Sequence, residues 1–135
     1  MIQLFVALAG GLGATVRFII DAQVRRFTAT ALIPLGTVFI NITGSFALGI
    51  VTGWWAIHTG DPGLKQILGT GFLGGYTTYS TFSVESFQLW NSSTWALGLI
   101  YALLSVVAGL AAAYFGALTA RRVLRRYRRY RQDHG

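Results

Sequence analysis

The residues best suited to chemistry in this chain are hydroxyls and an amide. From Gly71 to Phe82 the sequence reads Gly-Phe-Leu-Gly-Gly-Tyr-Thr-Thr-Tyr-Ser-Thr-Phe, so glycines lead into hydroxyls at Thr77, Thr78, Tyr79, Ser80 and Thr81. The run sits in the middle of an apolar stretch long enough to cross a membrane. Glycine permits backbone conformations that a helix does not use. Non-helical backbone survives at membrane depth only where protein or a water-filled path surrounds it. A break dense in hydrogen-bonding groups therefore points to a permeation or binding site and not to a plain anchor.

Other segments add polar groups at comparable depth. Asn41 falls near the centre of a second apolar stretch, where a bare amide costs about 2–7 kcal/mol. Two uses are open to it: joining helices, for about 0.6–2 kcal/mol, or presenting its NH2 donors to a passing solute. Ser80, Thr81, Tyr101 and Ser105 offer donors on other segments, and with Asn41 they are candidates for one continuous polar track. Tyr79 and Phe82 share a helix face. They serve either as apolar packing or as an anion site, because aromatic edges carry partial positive charge. An edge holds an anion without the trapping a lysine would cause, and conduction needs such moderate affinity. Glu85 is a carboxylate inside an apolar segment and so a functional candidate, unless it snorkels to the interface. Arg17 either anchors and pairs, with Asp21 four residues on, or raises the local potential for an anion.

Enzyme chemistry lacks its parts. The only histidines, His58 and His134, fall in a connection and in the tail, and there is no cysteine. Disulfides, thiolate metal sites and cysteine nucleophiles are thereby excluded. No Ser/His/Asp set lies at one depth, and no metal-ligand cluster is visible. Gly10-Gly11-Leu12-Gly13 follows no strand, so it is not a nucleotide-binding loop.

The elements that must position these groups are apolar helices. The chain has 135 residues, 53% hydrophobic and 11% charged, against about 25% charged in soluble proteins. The pattern predicts an all-α membrane protein with four transmembrane helices, about 2–26, 32–57, 64–90 and 95–120. The third is expected to be broken near 74–78 into two half-helices, about 64–75 and 79–90. Turns are expected at His58–Gly63 and Asn91–Thr94. Met1-Ile2-Gln3 lacks the basic lead of a signal peptide, so the first stretch reads as a true helix. Residues 121–135 form a basic tail whose seven arginines supply most of the net charge of +7. Following a membrane helix directly, the tail suits anionic lipid headgroups, and no nucleic acid is expected as a partner.

Connections this short make successive helices antiparallel and place both termini on one side. That side carries Lys65 and the seven tail arginines, against Arg25, Arg26 and at most Arg17 opposite, which predicts cytoplasmic termini. Thr37, Asn41, Ser45, Gly49 and Gly53 recur every four residues, as do Tyr101, Ser105, Gly109 and Ala113. Each set makes one inclined ridge of small and polar side chains, suited to close helix contact in lipid.

Three motifs resemble the Fluc (CrcB) fluoride channels over essentially the whole membrane region. They are Gly10-Gly-Leu-Gly13-Ala14-Thr-Val-Arg17, Gly36-Thr-Val-Phe-Ile-Asn41-Ile-Thr-Gly44-Ser45-Phe, and Gly71-Phe-Leu-Gly-Gly-Tyr-Thr-Thr-Tyr-Ser-Thr-Phe-Ser83. The resemblance implies an antiparallel, dual-topology homodimer with two narrow fluoride pores, in the bacterial cell inner membrane, multi-pass. It implies a structural sodium ion on the two-fold axis, held by the backbone carbonyls of Gly74 and Thr77. It maps the pore aromatics to Tyr79 and Phe82, and the pore asparagine to Asn41. The polar track maps to Ser80, Thr81, Tyr101 and Ser105, and the pore-mouth residues to Glu85 and Arg17. Tyr79 replaces a phenylalanine, and Gly109 stands where many relatives carry a hydroxyl.

The physics of the residues agrees with that expectation. Four helices are too few to enclose a selective pore, so an oligomer is expected. Hydrogen fluoride crosses lipid as a neutral acid and ionises inside, so a passive path lets the trapped anion leave under a negative interior potential. Two alternatives stand beside this reading. A small proton-coupled fluoride or drug antiporter would want a carboxylate at the centre of the first helix, where none exists. A non-transporting assembly subunit would use the small-residue ridges for packing alone.

Overall fold

The computed structural model describes residues 1–57, 60–92 and 94–133, with side chains through Tyr127. His58, Thr59, Ser93 and His134 lie outside the described residues, as do the side chains of Arg128, Arg129 and Arg131. The described residues are helical, joined by turns and short extended links, with no strand among them. Helix α1 spans Ile2–Phe27 and α2 spans Leu35–Trp55, the latter entered through Pro34. Asp61 caps the short α3, Pro62–Lys65, by accepting the Gly63 N–H at 2.8 Å. The chain continues as a π-helical segment, Gln66–Leu73, and one turn of α-helix, α4, Gly74–Tyr76. Helix α5 spans Ser80–Trp90 and α6 spans Trp95–Asp133.

Three of these helices are long and apolar enough to cross a membrane: α1, α2 and, within α6, Trp95–Tyr127. Their burial pattern is that of a protein solvated by lipid. Phe5, Leu8, Leu12 and Phe18 on α1, and Leu103, Val107 and Leu110 on α6, are all more than half exposed. A soluble monomer does not present apolar surface on that scale.

Helix α6 differs from expectation. Residues 121–133 continue the helix past its expected end near 120. The physical reason is local: arginine and leucine are good helix formers, and no proline or glycine occurs between Ala117 and Asp133. At 39 residues, α6 is about 58 Å long, roughly twice the hydrocarbon thickness.

The ridge glycines Gly49 and Gly53 make the close helix contact expected of them, while those of 71–75 do not supply the non-helical backbone expected there. Among the described residues no glycine has a positive φ. The glycines permit close approach. A Cβ at Gly49 would strike the Ala113 carbonyl, one at Gly53 would lie 2.8 Å from the Ala117 carbonyl oxygen, and one at Gly116 would strike the Phe46 carbonyl. From Gly49–Ala113 to Gly53–Ala117 the contacts advance in the same direction along both helices, so α2 and α6 run parallel. In the same way a Cβ at Gly71 would lie 2.8 Å from the Val6 carbonyl oxygen, and one at Gly75 would strike the Gly10 carbonyl, which sets α1 parallel to the segment 66–76. Between the two pairs lies the core of Ile40, Leu73 and Tyr76, flanked by Val16, Ile20, Ala47, Val51 and Phe72.

Candidate functional site

Helical backbone stops after Tyr76 and resumes at Ser80. Thr77 is extended, with φ −75° and ψ 158°, a conformation open to any residue. What holds the interruption is Asn41. Its Oδ1 accepts the Thr78 N–H at 2.8 Å, and its Nδ2 donates to the Thr78 carbonyl at 2.9 Å. Both backbone polar groups of a residue only 7% exposed are thus satisfied by one side chain. Thr78 then starts the next helix: its hydroxyl accepts the Thr81 N–H at 3.1 Å and donates to the Thr81 hydroxyl at 3.0 Å. Of the two uses open to Asn41, joining segments is the one made in this chain, with one N–H left over.

A groove of about 380 Å³ runs beside the interruption. Asn41, Ser45, Thr77, Tyr79, Phe82 and Ser105 line it. The Ser105 hydroxyl is buried and has no hydrogen-bond partner among the described residues. Phe82 packs against Tyr101 with ring centroids 5.5 Å apart, and Tyr79 lies 6.1 Å from Phe82. Tyr79 is 81% exposed, so its ring borders the open side of the groove.

The other expected residues divide between neighbouring sites. Thr81 and Arg17 line a cavity of about 220 Å³ with Asp21, Thr37 and Thr78. Ser80 is exposed and only 3.4 Å from the Thr78 hydroxyl. Tyr101 is buried and donates its hydroxyl to Glu85 at 2.9 Å. Glu85 is 8% exposed and does not snorkel; its other oxygen accepts from Arg25 at 3.0 Å. Gly74 is exposed and Thr77 partly buried on the same short stretch.

Arg17 and Asp21 do not form the expected pair. Asp21 bonds Arg25 at 2.8 Å, while Arg17 reaches across to the Thr77 carbonyl at 3.4 Å. Asp21 is four residues from both arginines, so spacing alone does not choose between them. Arg25, Thr37 and Thr78 take part in the site but were not among its expected residues, although Thr78 belongs to the hydroxyl run. Thr37 belongs to the same four-residue ridge as Asn41, which was the available signal. Nothing local marks Thr78 as the partner of an asparagine 37 positions earlier.

Residues 4–117 match the family model described as CrcB-like protein, Camphor Resistance (CrcB). Among curated proteins, the chain is 42% identical over 125 residues to fluoride-specific ion channel FluC 2 of Cutibacterium acnes, covering 91% of this chain and 100% of that one. It is 44% identical over 116 residues to FluC 1 of Leifsonia xyli, covering 86% and 84%. It is 41% identical over 113 residues to FluC of Novosphingobium aromaticivorans, covering 83% and 90%. A match over most of the chain, with relatives aligned nearly end to end, places the protein: it belongs to the CrcB family.

Proposed function

We propose that this chain is a fluoride-selective channel of the bacterial inner membrane, giving fluoride a passive route out and so lowering its cytoplasmic level. The observation that carries the reading is the Ser105 hydroxyl, a buried donor without a partner in a groove with no basic side chain on its walls. Leaving such a group bare costs about 1–3 kcal/mol, and an anion in the groove would satisfy it. Fluoride is small and tightly hydrated, so close donors must replace its water. Ser105, the spare Asn41 N–H and the edges of Phe82 and Tyr79 are of that kind, and none would trap the ion as an ammonium would.

The finer architecture follows from what one chain leaves incomplete. The segments 62–76 and 80–90 together make a fourth crossing, broken at Thr77–Tyr79. The groove is walled on one side only, with Tyr79 and Leu110 exposed at its rim. A second copy, inserted in the opposite direction, closes it, and the pair contains two pores. Thr81 and Arg17 form the approach to each pore, with Ser80 and Tyr101 completing the polar track and Glu85 at its mouth.

Helix α4 ends without the usual donors for its carbonyls, because the Thr78 N–H that would reach Gly74 is given to Asn41. The Gly74 and Thr77 carbonyls are hard oxygen donors of the kind a sodium ion takes, and two copies would present four. A sodium ion there would supply fixed positive charge at the dimer axis. Arg17, already on the Thr77 carbonyl, adds to the same potential.

The test is fluoride efflux from liposomes holding purified protein, read with a fluoride electrode, with chloride as the competing anion. Rapid fluoride loss with negligible chloride leak is expected. Fluoride loss coupled to protons at low turnover would replace the channel with an antiporter, and no loss above empty liposomes would leave an assembly subunit.

A further inference from the structure

Hydroxyls in apolar helices ordinarily satisfy themselves by bonding the carbonyl four residues back. Thr15, Thr43, Thr52, Ser86 and Thr119 all do so here, at 2.7–2.9 Å. Two serine hydroxyls on the groove bond neither that carbonyl nor any other group among the described residues. Ser105 Oγ is buried and unpartnered, and Ser45 Oγ makes no hydrogen bond among the described residues. Both line the groove, Ser45 from α2 and Ser105 from α6.

Gly109 lines the same groove, one turn along α6 from Ser105. A Cβ there would meet nothing nearer than Ser45 Oγ, at 3.6 Å, which is ordinary contact. The other glycines of this helix pair are different: at Gly49, Gly53 and Gly116 a Cβ would run into backbone. Packing therefore does not demand glycine at 109. Its effect is to add no side chain to the groove that the two serines line.

We infer that Ser45 and Ser105 together form an anion-binding station over Gly109, in which the hydroxyl missing from position 109 of α6 is supplied by α2 from across the groove. The ligand class is a small, hard, monovalent anion, coordinated by two O–H donors converging from parallel helices. Ser45 is thus a coordinating residue, although its place in a small-residue ridge suggests packing alone. The inference rests on the fluoride reading above and deepens it.

The experiment compares wild type, Ser45→Ala and Ser45→Ala/Gly109→Ser in the liposome efflux assay, with inorganic fluoride as the probe. Losing one donor to a charged ligand slows efflux about tenfold or more. Returning a hydroxyl from α6 in the double variant restores most of the rate, an outcome that lost packing does not give. Ser45→Ala running at the wild-type rate overturns the station, and so does a double variant no faster than the single. If Ser45→Ala does not elute as the wild-type species, Ser45→Cys, nearly isosteric and a weak donor, is read by the same criteria. Wild-type vesicles that retain fluoride like empty ones overturn the channel reading itself, which is a separate result.

Discussion

Replacing Asn41 by alanine tests the element on which the site depends. The substitution removes two hydrogen bonds, at 2.8 and 2.9 Å, from the N–H and C=O of Thr78. Thr78 is 7% exposed, so water reaches these groups poorly. Each buried group left bare costs about 1–3 kcal/mol, so the pair costs about 2–6 kcal/mol. For a chain of this length that corresponds to a fall in Tm of at least about 6 °C. Asn41→Asp separates the two bonds. The carboxylate still accepts the Thr78 N–H, but it sets a second acceptor against the Thr78 carbonyl where a donor stood. Isosteric replacement is therefore expected to fail as well, although it preserves volume. The assays are tryptophan-monitored unfolding in detergent and fluoride efflux from liposomes, and both variants should be impaired in both. If Asn41→Ala unfolds within about 0.5 kcal/mol of wild type, the ordinary range of a neutral surface change, and conducts normally, then Asn41 does not hold the interruption and the account of the site is wrong.

Other consequences can be measured in parallel. Gly13→Ala drives a Cβ into the Phe72 carbonyl, whereas Gly11→Ala meets nothing within 4 Å. Unfolding should show Gly13→Ala destabilised by about 1–3 kcal/mol or more and Gly11→Ala unchanged or gaining up to about 1 kcal/mol. Arg25→Met strips a charged donor from the buried Glu85, but its side chain is 56% exposed, so water replaces it in part. The expected cost is about 1–3 kcal/mol, read as a lower detergent Tm that Arg25→Met/Glu85→Gln recovers. Changing the seven tail arginines to glutamine leaves Lys65 alone on the terminus side. The tail arginines favour cytoplasmic termini whereas an antiparallel pair needs both orientations, so cysteine-accessibility mapping should show the share of copies with cytoplasmic termini fall relative to wild type.

The contrast between Gly11 and Gly13 shows where sequence reading reaches its limit. Apolar length and low charge specify helices, and the hydroxyl run marks a polar interruption, because both are properties of residue type along one segment. What each glycine is for depends on which backbone comes near it, and that is set by the register of another helix. The same holds for Asp21, whose two possible partners are equally spaced, and for Asn41, whose partner lies 37 positions away. The end of α6 was hidden for a different reason: charge suggested a tail, while helix propensity continues the rod to Asp133.

One regularity connects these cases. Serine and threonine hydroxyls in an apolar helix have a default partner, the carbonyl one turn back, and that default is readable from sequence. Site residues bond elsewhere or not at all. Asn41 binds across to Thr78, Arg17 reaches the Thr77 carbonyl, Tyr101 donates to Glu85, and Ser105 donates to nothing in the chain. The first three departures fix the shape of the interruption and its surroundings. The last leaves its donor unspent, and Asn41 keeps one N–H beside it. A rigid frame of satisfied groups around an unsatisfied donor exchanges ligand for water without reorganising, and that combination suits rapid passage better than tight capture.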